Sequence, residues 1–362
     1  MKKKISVGGL VIGGGAPVTV QSMTNTKTAD AHATAAQINS LAEHGCDIAR
    51  VAVPDLASAD AIGEIKKLIN IPLVADIHFD YKLALRSAEA GADKIRINPG
   101  NIGGEDRVRA VARICAKKGL PIRIGVNSGS LRKELLAKHG GVTAEAMYEN
   151  AIEHIRLLNR FDFDDICLSV KASSVPLTVK AYRLLHERTG YPLHLGVTEA
   201  GTENMGLVKS SIGIGALLLD GIGDTIRVSL TAPPEREVVA ALAILRSLGL
   251  RGGFDLISCP TCGRCGIDLI PIAREVERRL EFMCGPGVRK GAESLPNRWT
   301  EGVAVAVMGC AVNGPGEASR ADFGIAGGDG EGVIFKKGKV VRKAPMDILV
   351  DELFKVIERG EE

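Results

Sequence analysis

Short apolar runs alternate with helix-like stretches along the first 254 residues of the chain. Spacers such as ATAAQINSLAEHG and RVRAVARICAKKG carry apolar residues three or four positions apart, as amphipathic helices do. Several spacers end in glycine, which is a common helix C-cap. The apolar runs are rich in Val, Ile or Leu and predict eight strands, at Val18–Met23, Asp47–Val53, Pro72–Phe79, Lys94–Asn98, Pro121–Asn127, Ile166–Ser173, Leu193–Glu199 and Thr225–Thr231.

This alternation predicts a (β/α)₈ TIM barrel followed by a smaller α+β domain. An open, doubly wound sheet is the alternative, but it does not need eight regular units, and no GxGxxG turn follows the first strand. We expect the barrel at residues 1–252 and the second domain at residues 253–362. The predicted elements of the second domain are a helix near Ile267–Phe282, a strand at Val303–Met308, a hairpin at Gly332–Arg342 and a helix near Met346–Glu358.

The composition argues against several classes of protein. No apolar run reaches the ~18 residues that a membrane helix needs. The start, MKKKISVGGLVIGGGAPV, imitates a signal peptide only faintly, because five glycines and Pro17 interrupt its apolar stretch. We expect a β-hairpin there, and a cytoplasmic protein. The net charge of +3 and the presence of one Trp and four Tyr argue against nucleic-acid binding.

Cationic side chains recur at the predicted C-terminal ends of five strands, where TIM-barrel enzymes place their chemistry. One such residue alone is more often a rim salt bridge or a packed lysine stem. Five of them, opposed chiefly by Asp76 and Glu199, favour an anionic ligand, and arginine matches phosphate oxygens. Loops at 98–101 and 127–130 can add backbone N–H groups. The candidate binding residues for a phosphate or diphosphate ester are Arg50, His78, Arg96, Asn98, Arg123, Asn127, Lys171, His194 and Arg227.

Glu199 is the candidate acid/base of this site. Nearby cations lower the pKa of a carboxyl group, whereas burial raises it. Glu199 is out of phase with His194 along the seventh strand, so we expect it where the strand gives way to its loop.

The second domain carries the strongest local motif, Cys259-Pro-Thr-Cys262-Gly-Arg-Cys265, joined by a remote Cys310. This spacing suits zinc or an iron–sulfur cluster, and a thioredoxin-like redox pair also fits. The turn that Pro315 and its neighbouring glycines force after Cys310 could bring Glu317 back to the same metal.

The cysteines outside this motif are interpreted as structural residues where the sequence places them. Eight cysteines without a signal peptide argue against a disulfide framework. We expect Cys46, Cys115 and Cys167 to be core residues. The sequence does not place Cys284.

Barrel topology constrains how a metal site can reach the predicted ligand. Each barrel helix runs antiparallel to its strand, so the eighth helix, near Glu235–Leu248, ends at the bottom of the barrel, and only a short link follows it. A strand of six residues spans about 20 Å, which such a link cannot easily pass. We therefore expect a head-to-tail homodimer with two-fold symmetry, in which one chain's metal site serves the other chain's barrel.

Several motifs together resemble one known family. The stretches VQSMTNT, VADIHFDY, RINPGNIG, PIRIGVNSGSL, LHLGVTEAG, GIGDTIRVSL, SCPTCGR and MGCAVNGPGEA occur in the order found in 4-hydroxy-3-methylbut-2-enyl diphosphate synthases of the non-mevalonate isoprenoid pathway, in their compact bacterial form. The resemblance implies reductive ring opening and dehydroxylation of 2-C-methyl-D-erythritol 2,4-cyclodiphosphate. It implies that two electrons pass from flavodoxin or ferredoxin through a [4Fe–4S] cluster, and that the enzyme is a dimer with a composite site.

The resemblance also implies roles for individual residues. Cys265 is not required by the family pattern. The implied cluster ligands are Cys259, Cys262, Cys310 and Glu317, and the implied barrel site is Arg50, Arg96, Arg123, Asn127, Lys171, Glu199 and Arg227.

Two other functions stay open at this point. One is a zinc-stapled barrel that isomerises or cleaves a phosphosugar without redox chemistry, and the identity of the metal would separate it from a reductase. The other is a non-enzymatic iron–sulfur carrier or redox sensor. The barrel-top cations argue against a carrier, since a carrier does not need a phosphate pocket.

Overall fold

The computed structural model describes residues 2–284, 302–310, 316, 318–328 and 330–359. The chain forms two compact units, Met1–Ile244 and Leu245–Glu362. The division between them falls inside the helix Pro234–Ser247. The sequence-based boundary at residues 252 and 253 follows the same helix and stays a prediction.

An antiparallel hairpin opens the first unit, as predicted. Its strands β1 (Lys4–Val7) and β2 (Leu10–Gly13) are joined by Gly8 and Gly9, both at positive φ. Apolar side chains of the hairpin pack against residues at the N-terminal ends of the barrel strands, so the hairpin covers the bottom of the barrel. This apolar cluster, named the floor below, consists of Ile5, Val7, Ile12, Ile48, Val74 and Cys167.

Eight parallel strands follow and close into a barrel, which confirms the predicted TIM fold. A parallel bridge between Leu168 and Leu193 closes the ring between its two end strands. Regular pairing of the last two strands stops at Leu195 and Ile226, so both are shorter than predicted. The strands are β3 (Thr19–Met23), β4 (Ile48–Ala52), β5 (Leu73–Asp76), β6 (Lys94–Ile97), β7 (Ile122–Asn127), β8 (Ile166–Lys171), β9 (His194–Leu195) and β10 (Thr225–Ile226).

Helices return the chain from each strand to the next. Asp30, Asp55 and Ser174 cap helix N-termini by accepting backbone N–H groups, while Gly91 and Gly119 end helices at positive φ. The helices are α1 (Ala31–Glu43), α2 (Leu56–Leu68), α3 (Tyr81–Ala90), α4 (Pro99–Ile102), α5 (Glu105–Lys118), α6 (Lys133–His139), α7 (Ala144–Asn159), α8 (Val175–Arg188), α9 (Glu203–Leu219) and α10 (Pro234–Ser247).

The second unit is a five-stranded mixed sheet with two helices. Its first three strands are parallel and its last two form a hairpin. The predicted helices, second strand and hairpin are confirmed, whereas the first and third strands escaped prediction. The third contains two glycines, which have low strand propensity. The elements are β11 (Phe254–Ser258), α11 (Leu269–Cys284), β12 (Val303–Met308), β13 (Phe323–Gly327), β14 (Glu331–Lys336), β15 (Lys339–Pro345) and α12 (Leu349–Arg359).

The membrane expectation can be checked on the same residues. Over the part of the chain that the structure describes, no helix has both the length and the apolarity to cross a bilayer.

Candidate functional site

The barrel interior above the floor is lined by buried cations. Arg96 and Arg123 are register partners on β6 and β7, so their side chains leave the sheet side by side. Arg123 is 2% exposed, and burial, reinforced by repulsion from Arg96, lowers its pKa to about 10. Burial also holds the pKa of Arg50 and of Lys171 well below their ordinary values, with further repulsion from neighbouring cations. The structure therefore brings these four predicted binding residues into one interior.

Asp76 is the carboxylate at the centre of this interior. Its Oδ1 accepts a hydrogen bond from Arg96 Nη1 at 2.8 Å, and its Oδ2 lies 3.7 Å from Arg50 Nε. Burial would raise the pKa of Asp76, but attraction by these arginines and by Arg123 outweighs burial, so the pKa is lowered. One ionised carboxylate thus serves two arginines, and Arg123 keeps no carboxylate partner of its own among the described residues.

The second interior carboxylate is Glu237, which the sequence analysis did not single out. Arg227 donates from Nε and Nη2 to Glu237 at 3.2 and 3.0 Å, and Glu237 is 4% exposed. Ser22 Oγ and the N–H of Leu230 donate to the same carboxylate. The sequence did not reveal this partner, because a glutamate in the first turn of a helix ordinarily interacts with the helix dipole.

Glu199 instead lies on the exposed loop after β9, as its phase along the strand predicted. Its φ of 51° is in the left-handed region, which costs a non-glycine residue about 1 kcal/mol or more. Such strain often occurs at functional sites, and Asp162 and Lys337 also have φ in this region.

Several buried donors in the interior have no partner among the described residues. They include Arg96 Nε and Arg123 Nε and Nη2, and the ring atom Nε2 of His194 also has no partner there. Arg123 donates one further hydrogen bond, from Nη1 to Ser169 Oγ at 2.9 Å. His194 is fully buried, and burial beside Lys171 and Arg123 holds its pKa well below 6.5, so it is neutral. Unpaired buried donors are costly unless a ligand or water accepts from them, which favours an anion in this interior.

Two glycines make room for these cations. A methyl group on Gly125 would lie 2.6 Å from Arg96 Nε, and one on Gly196 would lie 2.5 Å from Lys171 Nζ. Each long side chain therefore crosses a neighbouring strand at a position that lacks a Cβ atom. The glycines in the motifs RIGVN and HLGVTE shape the site as much as the charged residues do.

The remaining predicted residues lie around the rim. His78 is exposed, and its Nε2 lies 3.1 Å from Arg96 Nη1. Asn98 accepts the N–H of Gly100 at 3.2 Å, and the N–H of Asn127 donates to Ser130 Oγ at 3.3 Å. Those two backbone N–H groups are thus engaged within the chain, which leaves the arginine and lysine side chains as the main candidates for binding an anion.

The cysteine motif lies at one end of the sheet in the second unit. Cys259 follows β11 and Cys310 follows β12, and these strands are parallel neighbours. The N–H of Cys259 donates to Val307 O at 3.3 Å, and the N–H of Gly309 donates to Cys259 Sγ at 3.2 Å. A backbone N–H aimed at sulfur stabilises a thiolate, which is the form that binds metal.

The other two cysteines of the motif differ from each other. Cys262 is exposed. Cys265 donates from its thiol to Ile267 O at 3.3 Å, and its sulfur packs against Gly309, which leaves no space for a Cβ atom there. Glu317 and the turn 313–315 lie outside the described residues. Within the ranges that the structure does describe, no group of three or more His, Cys, Asp or Glu side chains is arranged to hold a metal ion. The thiol donors fit an iron–sulfur cluster or zinc by their chemistry.

The expected core cysteines are confirmed. All eight cysteines are free, and Cys46, Cys115 and Cys167 are buried in the first unit. Cys284, which the sequence left unplaced, belongs to the apolar core of the second unit.

Comparison with known proteins covers nearly the whole chain. The family model described as the GcpE TIM-barrel domain matches residues 2–242, and that of the GcpE protein C-terminal domain matches residues 255–359. The chain is similar to 4-hydroxy-3-methylbut-2-en-1-yl diphosphate synthase (flavodoxin) from Ruminiclostridium cellulolyticum, with 56% identity over 98% of this chain and 96% of the relative. It shares 57% identity with the protein of the same name from Caldicellulosiruptor saccharolyticus, over 99% of this chain and 98% of the relative.

Proposed function

Because this chain belongs to the GcpE family and its relatives are named 4-hydroxy-3-methylbut-2-en-1-yl diphosphate synthase (flavodoxin), we propose that it catalyses the reductive ring opening and dehydroxylation of 2-C-methyl-D-erythritol 2,4-cyclodiphosphate to 4-hydroxy-3-methylbut-2-enyl diphosphate. The observation that carries the proposal is the buried layer of cations. Asp76 serves both Arg50 and Arg96, Arg123 has no carboxylate partner among the described residues, and Arg96 and Arg123 keep donors without a partner there. A cyclic diphosphate supplies the missing negative charge and acceptor oxygens.

The same cations assist the opening of the ring. When the ring carbon–oxygen bond breaks, negative charge develops on the phosphate oxygen that leaves. Buried Arg123 and Lys171 are already oriented and largely free of water, so they stabilise that charge without reorganising. The rigid barrel also holds the ring in one orientation, which lowers the entropic part of the barrier.

Glu199 is the proposed proton donor for the hydroxyl group that leaves as water. Its loop follows the C-terminal end of β9, the end at which TIM barrels bind their substrates. Its exposed carboxyl group can exchange protons with solvent before a substrate covers the mouth.

A [4Fe–4S] cluster is the proposed cofactor, held by Cys259, Cys262, Cys310 and Glu317. When bound, it supplies two electrons one at a time. The neighbouring positions of Cys259 and Cys310, and the N–H directed at Cys259 Sγ, support this assignment. Flavodoxin, named for the relatives, or ferredoxin is the proposed electron donor, and the cytoplasm is the proposed compartment because thiols stay reduced there.

Metal and sulfide analysis tests this function. We expect protein purified without oxygen to contain about four irons and four sulfides per chain, with broad absorbance near ~400 nm that bleaches on reduction. It should convert the cyclodiphosphate when reduced flavodoxin is supplied. A colourless protein with one zinc per chain would contradict the redox function and favour the zinc-stapled phosphosugar enzyme.

The head-to-tail homodimer with a composite site is a further part of the proposal, resting on barrel topology. Co-expression of a Glu199→Ala chain with a Cys310→Ser chain tests it. Neither homodimer should turn over substrate, whereas each mixed dimer holds one intact site. Random pairing should therefore restore about a quarter of wild-type activity. Inactivity of the purified mixed dimer would contradict the composite site.

A further inference from the structure

Lys94 is a fully buried lysine in the bottom of the barrel, and the sequence pattern assigned it no role. It begins β6 two residues before Arg96, so both side chains point into the barrel. Its register partner on β5 is Val74, a residue of the floor. Lys94 is 0% exposed, and its Nζ has no hydrogen-bond partner in the part of the chain that the structure describes.

This ammonium group costs stability in the empty barrel. A buried charge without a partner loses its hydration and gains no compensating attraction. The neighbouring cations Arg50 and Arg123 repel it. Cys167 of the floor would attract the ammonium group if it were a thiolate. Burial raises the pKa of Cys167, however, so it stays a neutral thiol. Burial lowers the pKa of Lys94 to about 8, so at pH 7 the amine still carries most of its charge.

An isolated buried cation of this kind needs a reason other than folding. A methionine of similar length would fill the same space beside Val74 without the charge. The Lys94 charge can only attract negative groups that lie near Arg50 and Arg123. These arginines already line the anion site.

We propose that Lys94 is a positioning residue of the anion site, whose ammonium charge strengthens diphosphate binding by the arginines next to it at the expense of the stability of the empty barrel. This inference rests on the proposed function, since it takes a diphosphate as the ligand. It predicts opposite changes in stability and in anion affinity, whereas the loss of a packing residue would lower both. Removal of the charge should stabilise the ligand-free protein and weaken its affinity for the anion.

The test uses the full-length protein and inorganic pyrophosphate as the probe. Lys94→Met should raise the midpoint of thermal unfolding without ligand by roughly 3 °C. By calorimetry, it should weaken pyrophosphate binding by about tenfold, the effect of losing one charge at about 10 Å in a partly polarisable interior. Lys94→Gln should lose the same affinity without the gain in stability. The exposed Lys180→Met is the matched control and should change neither value.

Each other outcome contradicts the inference. If Lys94→Met binds pyrophosphate as tightly as wild type, or unfolds at a lower temperature, the lysine packs the floor and does not serve the ligand. If Lys94→Met does not fold, an unchanged affinity of Lys94→Gln overturns the inference. If the wild-type protein itself binds no pyrophosphate, the anion site and the proposed function fail, and the inference fails with them.

Discussion

Replacement of Cys310 by serine should remove the proposed iron–sulfur cluster and lower turnover of the proposed cyclodiphosphate substrate by at least about a thousandfold. Cys310 follows β12 at the same end of the sheet as Cys259, so the pair forms the centre of the proposed ligand set. Serine is a much poorer ligand for iron than a thiolate. Iron and sulfide content, measured on protein purified without oxygen, should fall with activity. Pyrophosphate binding should persist, because the cations proposed to bind it lie in the other compact unit.

Cys265→Ser is the matched control for this substitution. The Cys265 thiol donates to Ile267 O, and a serine hydroxyl can donate to the same oxygen. We therefore expect the variant to keep its full iron content and absorbance. Loss of iron from Cys265→Ser would restore Cys265 to the ligand set that the spacing indicated, and iron kept in Cys310→Ser would exclude Cys310 from it.

Replacement of Asp76 by asparagine should lower the free energy of unfolding by about 3–5 kcal/mol, the usual loss when one partner of a buried ion pair is removed. Asparagine keeps the shape of Asp76 but leaves Arg50 and Arg96 buried beside Arg123 without a counter-charge. Urea unfolding at pH 7 measures the loss. Pyrophosphate should stabilise the variant more than it stabilises wild type, because the anion replaces the missing charge.

The pH dependence of the same pair follows from the lowered pKa of Asp76. A carboxyl group whose pKa is lower in the folded state than in the unfolded state stabilises the fold above its unfolded value, about 3.9. That contribution is lost as the pH falls through the folded pKa. The difference in the free energy of unfolding between wild type and Asp76→Asn should therefore be constant near neutrality and become smaller below about pH 4.

Asp60→Asn provides the control. Asp60 pairs with Arg86 on the surface, and each side chain is 53% exposed. Exposed pairs contribute about 0–1 kcal/mol, so this variant should unfold almost as wild type does. If Asp76→Asn is equally harmless, the arginines have another counter-charge, and the central role given to Asp76 is wrong.

The carboxylates illustrate where prediction from sequence succeeds and fails. Asp76 was predicted to lie among the cations because it ends a barrel strand, and TIM barrels place their active sites at the C-terminal ends of their strands. Glu237 was not predicted, since it pairs with Arg227 from the first turn of the following helix. Glu199 lies on the loop after β9, where its phase along the strand predicted it, but the sequence did not indicate how exposed that loop leaves it. Strand phase predicts which way a strand residue points, but it says little about a loop residue.

The sequence by itself determined the barrel, the second unit and the family. Periodicity and helix caps are local properties, and the motifs are continuous stretches of the chain. All of them can be recognised without knowledge of tertiary contacts. Only the tertiary structure decided the electrostatics of the site: Asp76 serves two arginines, Glu237 serves Arg227, and Lys94 has no hydrogen-bond partner among the residues that the structure describes. The reason is physical. The energy of a buried charge depends on every group within a few ångströms, and in a barrel those groups come from strands that are far apart in the sequence.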